Sequence, residues 1–198
     1  ITNVNTGSGF YYSTAIKNFA YVDLSNSLRQ RIISGTYPIN NNEIMISSFL
    51  FDSIKAFGYR DKNGNSIILN DYNDIVNKTL VINRFGINFD FKVSGVYDVD
   101  DLIPQKYQEL LNIGEQYNPN IFNWEEERKN GIYSLCLVSD DFYQTYKDIF
   151  VSNELDIGIN IIDYITIGKM EQGMNSIAKF SEVDLYDLVK IHYEKLDI

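Results

Sequence analysis

The 198-residue chain has little of what most chemistry requires: one cysteine, one histidine, three prolines and no excess of positive charge. A single cysteine, Cys136, excludes an intrachain disulfide and any zinc cluster built on cysteines. It lies in the apolar run IYSLCLVS and reads as a buried core thiol. A nucleophilic cysteine wants a histidine, and the one available, His192 in VKIHYEKL, reads as an edge residue of a terminal helix. Lys and Arg number 17 against 27 Asp and Glu, a formal charge of −10. That balance lacks the basic stripe that displaces counterions from nucleic acid and opposes polybasic docking on anionic lipid; it reads as a means of solubility. No apolar run approaches the roughly 18 to 20 residues that span a bilayer, and no basic segment precedes an apolar one in the manner of a signal peptide. The start at ITNVNTG, without methionine, suggests an excised or processed piece of a longer protein. Phosphate loops, GxSxG elbows, HExxH helices and CxxC pairs are missing, so the expectation is a protein that is not an enzyme and carries no cofactor.

What is present is a globular composition: 44% hydrophobic residues and 14% aromatics, led by 15 Tyr and 12 Phe. That is too rich for a disordered segment, and the length suits one domain or two small ones. FAYVDL alternates as a strand, and Ser25 caps a short helix, SNSLRQRIISG, closed by Gly35. EIMIS is a second strand, followed by an amphipathic helix capped by Ser47 or Ser48 and stopped at Gly58. The Asn-Gly of DKNGNS marks a tight turn. TLVINR and INFDFKVSGVYDV form a hairpin turning at Phe85-Gly86, with Ile87, Phe89, Phe91 and Val93 on one face. QKYQELLNIGEQY reads as a helix and NWEEERKNG as a charged surface turn. IYSLCLVS is a buried strand, DDFYQTYKDIF a helix capped by Ser139 or Asp140, INIIDYITIG a strand and SEVDLYDLVKIHYEKL a helix. This order predicts an α+β fold with a mixed or mostly antiparallel sheet and several short helices, with room for two subdomains, 1–98 and 99–198. Ile44, Ile46, Phe89, Phe91, Val93, Val96, Leu135 and Leu137 are expected in shared cores.

Four clusters invite a chemical reading. Asp61, Asn63 and Asn65 alternate like the first ligands of a calcium loop, but Ser66 and Tyr72 occupy the positions where glycine and a bidentate Glu belong, which favours a hairpin turn. Asp98, Asp100 and Asp101 read as a helix cap rather than a cation site, with Asp100 or Asp101 as the cap. Glu125, Glu126 and Glu127, adjacent in a turn with Lys and Arg, read as a solvated face rather than the acid and base of a glycosidase. Phe10, Tyr11 and Tyr12 read as an edge strand covering the core, with stacking on sugars or peptides as the alternative. No metal site is expected. Trp124, in an otherwise charged turn, is the residue expected to anchor a partner.

One phrase stands apart: Gly35-Thr-Tyr37-Pro38, three asparagines, then Glu43-Ile44-Met45-Ile46-Ser47 leading into a helix that ends at Phe57-Gly58. After a variable hairpin comes Phe91-Lys92-Val93-Ser94-Gly95-Val96-Tyr97-Asp98. From about Phe19 to Asp98 this resembles the extracytoplasmic domain of FtsX-like, MacB-like ABC transporter permeases, in which a "G-x-x-P … N-E-I-x-I-S" phrase precedes a helix and an "F-x-V-x-G-V/I" strand follows. The second half fits the family in general pattern only. The resemblance implies a MacB-like periplasmic core fold and a non-catalytic module set between two transmembrane helices at the extracellular face of the cell membrane. It implies a cognate ABC ATPase on the cytoplasmic side and a permease dimer in the whole protein. Outside the cell it implies a peptide, a lipid-linked substrate or a protein partner. The composition, rich in Asn, Ile and Lys, suits a low-GC Gram-positive bacterium. The alternative is a secreted or surface-anchored module that binds carbohydrate or peptide through Phe10, Tyr11, Tyr12 and Trp124.

Overall fold

The computed structural model describes residues 11–12, 16, 18–22, 27–84, 86–113, 117–154 and 177–180. Its centre is one mixed, seven-stranded sheet. The strands are β1 (Asn18–Val22), β2 (Ile32–Gly35), β3 (Glu43–Ser47), β6 (Thr79–Arg84), β7 (Ile87–Tyr97), β8 (Leu135–Val138) and β9 (Ile177–Phe180). They run in the order β2-β7-β3-β8-β1-β9, with β6 also on β7. A separate two-stranded ribbon joins β4 (Tyr59–Arg60) to β5 (Ser66–Ile67) across the Asn-Gly turn. The helices are α1 (Ser48–Phe57), α2 (Gln105–Gln108), α3 (Asn120–Asn130) and α4 (Asp140–Glu154).

The long β7 organises the sheet. Its first half pairs antiparallel with β6, from Arg84↔Ile87 to Thr79↔Lys92, and its second half with β2 at Gly35↔Gly95 and Ile32↔Tyr97. Its other edge runs parallel to β3, and the register slips between Ile44↔Val93 and Met45↔Gly95. This extra residue is a bulge, and it changes which side chains face which way. Phe89, Phe91 and Val93 alternate onto one core, and Val96 rejoins that core after the slip. β8, from the second half of the sequence, lies between β3 and β1 from the first. A cut at residue 98 therefore divides a shared sheet.

The sheet buries two cores. One holds Phe19, Ile44, Ile46, Phe89, Phe91, Val93, Val96 and Cys136 with Leu50 and Ile54 of α1 and Phe142 of α4. The other holds Ala20, Val22, Met45, Tyr97, Leu135 and Leu137 with Tyr107 of α2, Trp124 of α3 and Phe49 of α1. All eight residues expected in the cores are buried. Ile87 is the exception on its strand face, 38% exposed at the hairpin end.

Helix α1 starts where the sequence says it should. Ser47 Oγ accepts a hydrogen bond from Leu50 N at 3.1 Å, satisfying an N-terminal donor, and Gly58 ends the helix at φ 88°. Four other segments differ from the sequence reading. SNSLRQRIISG forms a short 3-10 helix, Ser27–Arg31, and then the strand β2, because the open edge of β7 offers Ile32–Gly35 a ladder. Ser25 lies outside the described residues. QKYQELLNIGEQY is helical over Gln105–Gln108 and continues as a 3-10 turn over Glu109–Asn112. NWEEERKNG belongs to the helix α3 rather than to a turn. Strand β9 was not anticipated. INIIDYITIG, the terminal helix with His192, Phe10 and Phe85 lie outside the described residues.

The Gly35–Ser47 phrase is a knot between strands. Thr36 N donates to Ser94 O at 2.9 Å, and Lys92 N donates to Asn42 O at 2.8 Å. Glu43 Oε2 accepts from Ile39 N and Asn40 N, both at 3.0 Å, which closes the asparagine loop. The buried Tyr37 hydroxyl accepts from Val22 N at 2.9 Å and donates to Val138 O at 3.0 Å, so it ties β1 to β8, while the Arg29 guanidinium lies 3.6 Å over its ring. Tyr37→Phe leaves that buried backbone pair without partners. It is expected to cost about 2 kcal/mol, read as a lower urea midpoint at unchanged slope.

Candidate functional site

Helix α3 is strongly charged, with three Glu, one Arg and one Lys in NWEEERKN, yet it presses one tryptophan into the core. Trp124 is fully buried, and its indole N–H donates to Tyr11 O at 2.7 Å. Tyr11 stacks on it at 5.3 Å, Phe49 meets it edge-on at 5.4 Å, and Tyr107 and Tyr133 lie at 5.0 and 5.1 Å. The expectation of an exposed Trp124 anchoring a partner is therefore corrected: the ring is a core residue. The charge of the helix hid this, because two of its charged residues also turn inward. Glu127 is 8% exposed and accepts from the Tyr107 hydroxyl at 2.6 Å; Arg128 is 7% exposed and bonds Glu125 at 3.4 Å. The reading of Glu125 to Glu127 as a wholly solvated face fails at Glu127 for that reason. With Tyr11 and Trp124 buried, the open aromatic platform of a carbohydrate-binding surface is not formed by these two residues.

Beside this nest, two carboxylates and three phenols come together from four parts of the chain. Asp52 projects from α1, one turn after Ser48. Ser48 Oγ donates to Asp100 Oδ1 at 2.6 Å and accepts from Val99 N at 3.0 Å, which fixes the end of β7 against the first turn of α1. Burial raises the Asp52 carboxyl to about 6, with the Asp100 charge adding and Lys55 opposing. Burial also raises the Tyr72 phenol to about 12, with Asp100, Asp52 and Asp98 adding. Tyr11 and Tyr12 are raised too, chiefly by burial, with Asp52 and Asp100 contributing. A sequence reader could pair Ser48 with Asp52 by helical spacing, but nothing local brings Tyr12, Tyr72 and Asp100 to them.

The Asp98 cluster works differently from expectation. Asp98 Oδ1 accepts from Asp100 N at 2.9 Å and so serves the turn itself, while Asp100 holds Ser48 and Asp101 pairs with Arg31. Neither Asp100 nor Asp101 caps the 3-10 helix Asp100–Leu102 that follows. Asp61 spends its carboxylate on the β4–β5 turn, accepting from Asn63 N and Asn65 N at 2.9 Å and from Asn65 Nδ2 at 3.1 Å. Among the described residues no group of three or more His, Cys, Asp or Glu side chains could hold a metal ion.

A pH dependence follows from Asp52. Its folded value of about 6 lies above the ordinary 3.8, so the folded state binds the proton more tightly and Asp52 favours folding most at low pH. That contribution is lost as pH rises from about 4 through about 6, and amounts to about 1 kcal/mol once solvent screening of a half-buried group is allowed for. Asp52→Asn removes this slope, so the difference in urea stability between variant and wild type should grow across that window and level off above it. A difference independent of pH would show that Asp52 is ionised alike in both states.

Among the described residues of 99–131, the exposed large apolar side chains are Leu111 (49%), Tyr117 (91%) and Phe122 (69%). No helix among the described residues is long and apolar enough to cross a membrane. Comparison with family models, curated proteins and solved structures gives no match.

Proposed function

We propose that the chain is the extracytoplasmic, non-catalytic domain of an FtsX-like, MacB-like ABC transporter permease, at the extracellular face of the cell membrane. It relays movement of transmembrane helices to an external event, with the ATP hydrolysed by a cognate ATPase inside the cell. One observation supports this reading above the others. The two phrases that carry the resemblance, fifty residues apart in sequence, are neighbours in space: Ile44 pairs with Val93, Met45 with Gly95, and Gly35 with Gly95. That the two phrases share one part of the sheet supports reading them together. A shared sheet with helices on both faces also suits a body that moves as a unit.

In this reading contact with a peptide, a lipid-linked substrate or an extracellular protein falls on Tyr117 and Phe122, in the place first expected of Trp124. Replacing both with serine should leave stability within about 0.5 kcal/mol, as for exposed side chains. In the full transporter the same pair should abolish transport or resistance while basal ATPase activity persists. Undiminished function in that variant would remove the contact from this segment.

A further inference from the structure

The tripeptide Lys-Asn-Gly occurs twice in the chain, ending at Gly64 and at Gly131. Asn-Gly is chemically fragile, because glycine has no Cβ to shield its backbone nitrogen from the preceding side-chain amide. The same local chemistry sits here in two different surroundings. Asn63 and Gly64 are exposed at the tip of the β4–β5 ribbon, which lies outside the main sheet and is held by the pairs Tyr59↔Ile67 and Arg60↔Ser66. Gly64 N donates to Asp61 O at 3.0 Å, and a Cβ built on Gly64 meets nothing within 4 Å. Asn63 gives the turn its backbone N–H, while the side chains that bond there are those of Asp61 and Asn65. Gly131 instead closes α3. Its N–H donates to Glu127 O at 2.6 Å, a Cβ built on it would lie 2.7 Å from that oxygen, and Ile132, Tyr133 and Ser134 after it are buried. A short exposed ribbon opens more cheaply than a helix end packed against a core, since local openings follow the contacts they break.

We propose that Asn63-Gly64 is a site of spontaneous deamidation in the folded protein, and that the fold protects Asn130-Gly131 from the same reaction. When the turn opens, the Gly64 amide gives its proton to solvent base and its nitrogen attacks Asn63 Cγ. The Cγ–Nδ2 bond breaks, ammonia leaves and a five-membered succinimide remains. Water then opens the ring. Attack at Cγ yields aspartate at position 63, and attack at the backbone carbonyl yields the iso-linked form, with one more atom in the main chain. Either product sets a new carboxylate near that of Asp61. The iso-linked form also lengthens a turn closed by Gly64 N on Asp61 O and by Asp61 N on Asn65 O, both at 3.0 Å. The change falls on the ribbon and leaves the seven-stranded sheet as it is. The site stands on these two turns and not on the permease reading, so either can fail without the other.

Because both asparagines stand between lysine and glycine, the unfolded chain provides the reference rate for each. The wild-type protein is aged at mildly alkaline pH, in buffer and in denaturing urea, then digested at mildly acid pH. Tandem mass spectrometry follows each asparagine by its gain of one mass unit. In buffer Asn63 should react at least about tenfold faster than Asn130, and in urea the two rates should agree within about threefold. Gly64→Ala places a Cβ beside the attacking nitrogen and should slow the loss of Asn63 at least about tenfold, with Asn130 unchanged. Equal rates in buffer would overturn the proposal, and so would an Asn63 that reacts in urea but not in buffer. An unchanged rate at Asn63 in Gly64→Ala would overturn the route through the succinimide. Should that variant not fold, the wild-type comparison decides alone.

Discussion

Trp124→Ala is expected to cost about 3–5 kcal/mol, the range for deleting a large aromatic from a packed core. That is a large share of the stability of a domain of this size, about 5–15 kcal/mol. Three effects add. The ring touches Tyr11, Phe49, Tyr107 and Tyr133, so its loss opens a cavity among aromatics too rigid to close it. The carbonyl of Tyr11 loses its donor. Tyr107, whose hydroxyl holds the buried Glu127, loses the ring that packs against it at 5.0 Å. Urea denaturation followed by far-UV circular dichroism measures the cost. A change below about 1 kcal/mol would be the value of an exposed side chain and would return Trp124 to the surface.

The second large effect belongs to glycine. Gly35 sits at φ +73°, and a Cβ there would stand 2.1 Å from Ser94 O and 2.7 Å from Gly95 Cα. Gly35→Ala therefore combines left-handed strain, about 1–2 kcal/mol, with a backbone clash, about 1–3 kcal/mol. Gly64 isolates the first term: it has φ +83° in the β4–β5 turn and nothing within 4 Å of a built Cβ. Gly64→Ala should show the strain alone, and Gly35→Ala should exceed it by at least about 1 kcal/mol. The same denaturation experiment on both variants checks this, and equal losses would mean that β2 can shift away from β7 at no cost. Gly95 completes the contact from the other side, where a Cβ would lie 2.6 Å from Ser34 O and 2.9 Å from Met45 Cε.

These two sites also mark what could be read from the chain and what could not. Local signals were faithful where local forces decide. Ser47 and Gly58 bound α1, Asn63-Gly64 makes a turn, and the alternation of Phe89, Phe91 and Val93 gives β7 its buried face. The α+β class with a mixed sheet followed from that order of elements. Where partners are distant in sequence the signal disappears. Ile32–Gly35 is a strand because β7 lies beside it, and its own residues read as the tail of a helix. Trp124 reads as exposed because its neighbours are charged, and Tyr107, twenty positions before Glu127, lets that carboxylate follow the ring inward. The cluster of Asp52, Asp100, Tyr12 and Tyr72 was invisible for the same reason: each pair is set by the fold, not by spacing.

The permease reading makes a direct demand on the place of this domain in the cell: outside it, on a protein held in the membrane. Asn63 is exposed at the tip of the β4–β5 ribbon, and the one native cysteine, Cys136, is buried. Asn63→Cys in the complete protein, expressed in its native host, gives a reporter that a membrane-impermeant maleimide reaches from one side only. The account predicts labelling in intact cells, on a protein that stays with the membrane through alkaline carbonate extraction. Labelling that requires permeabilised cells, or a protein that carbonate releases from the membrane, would contradict it.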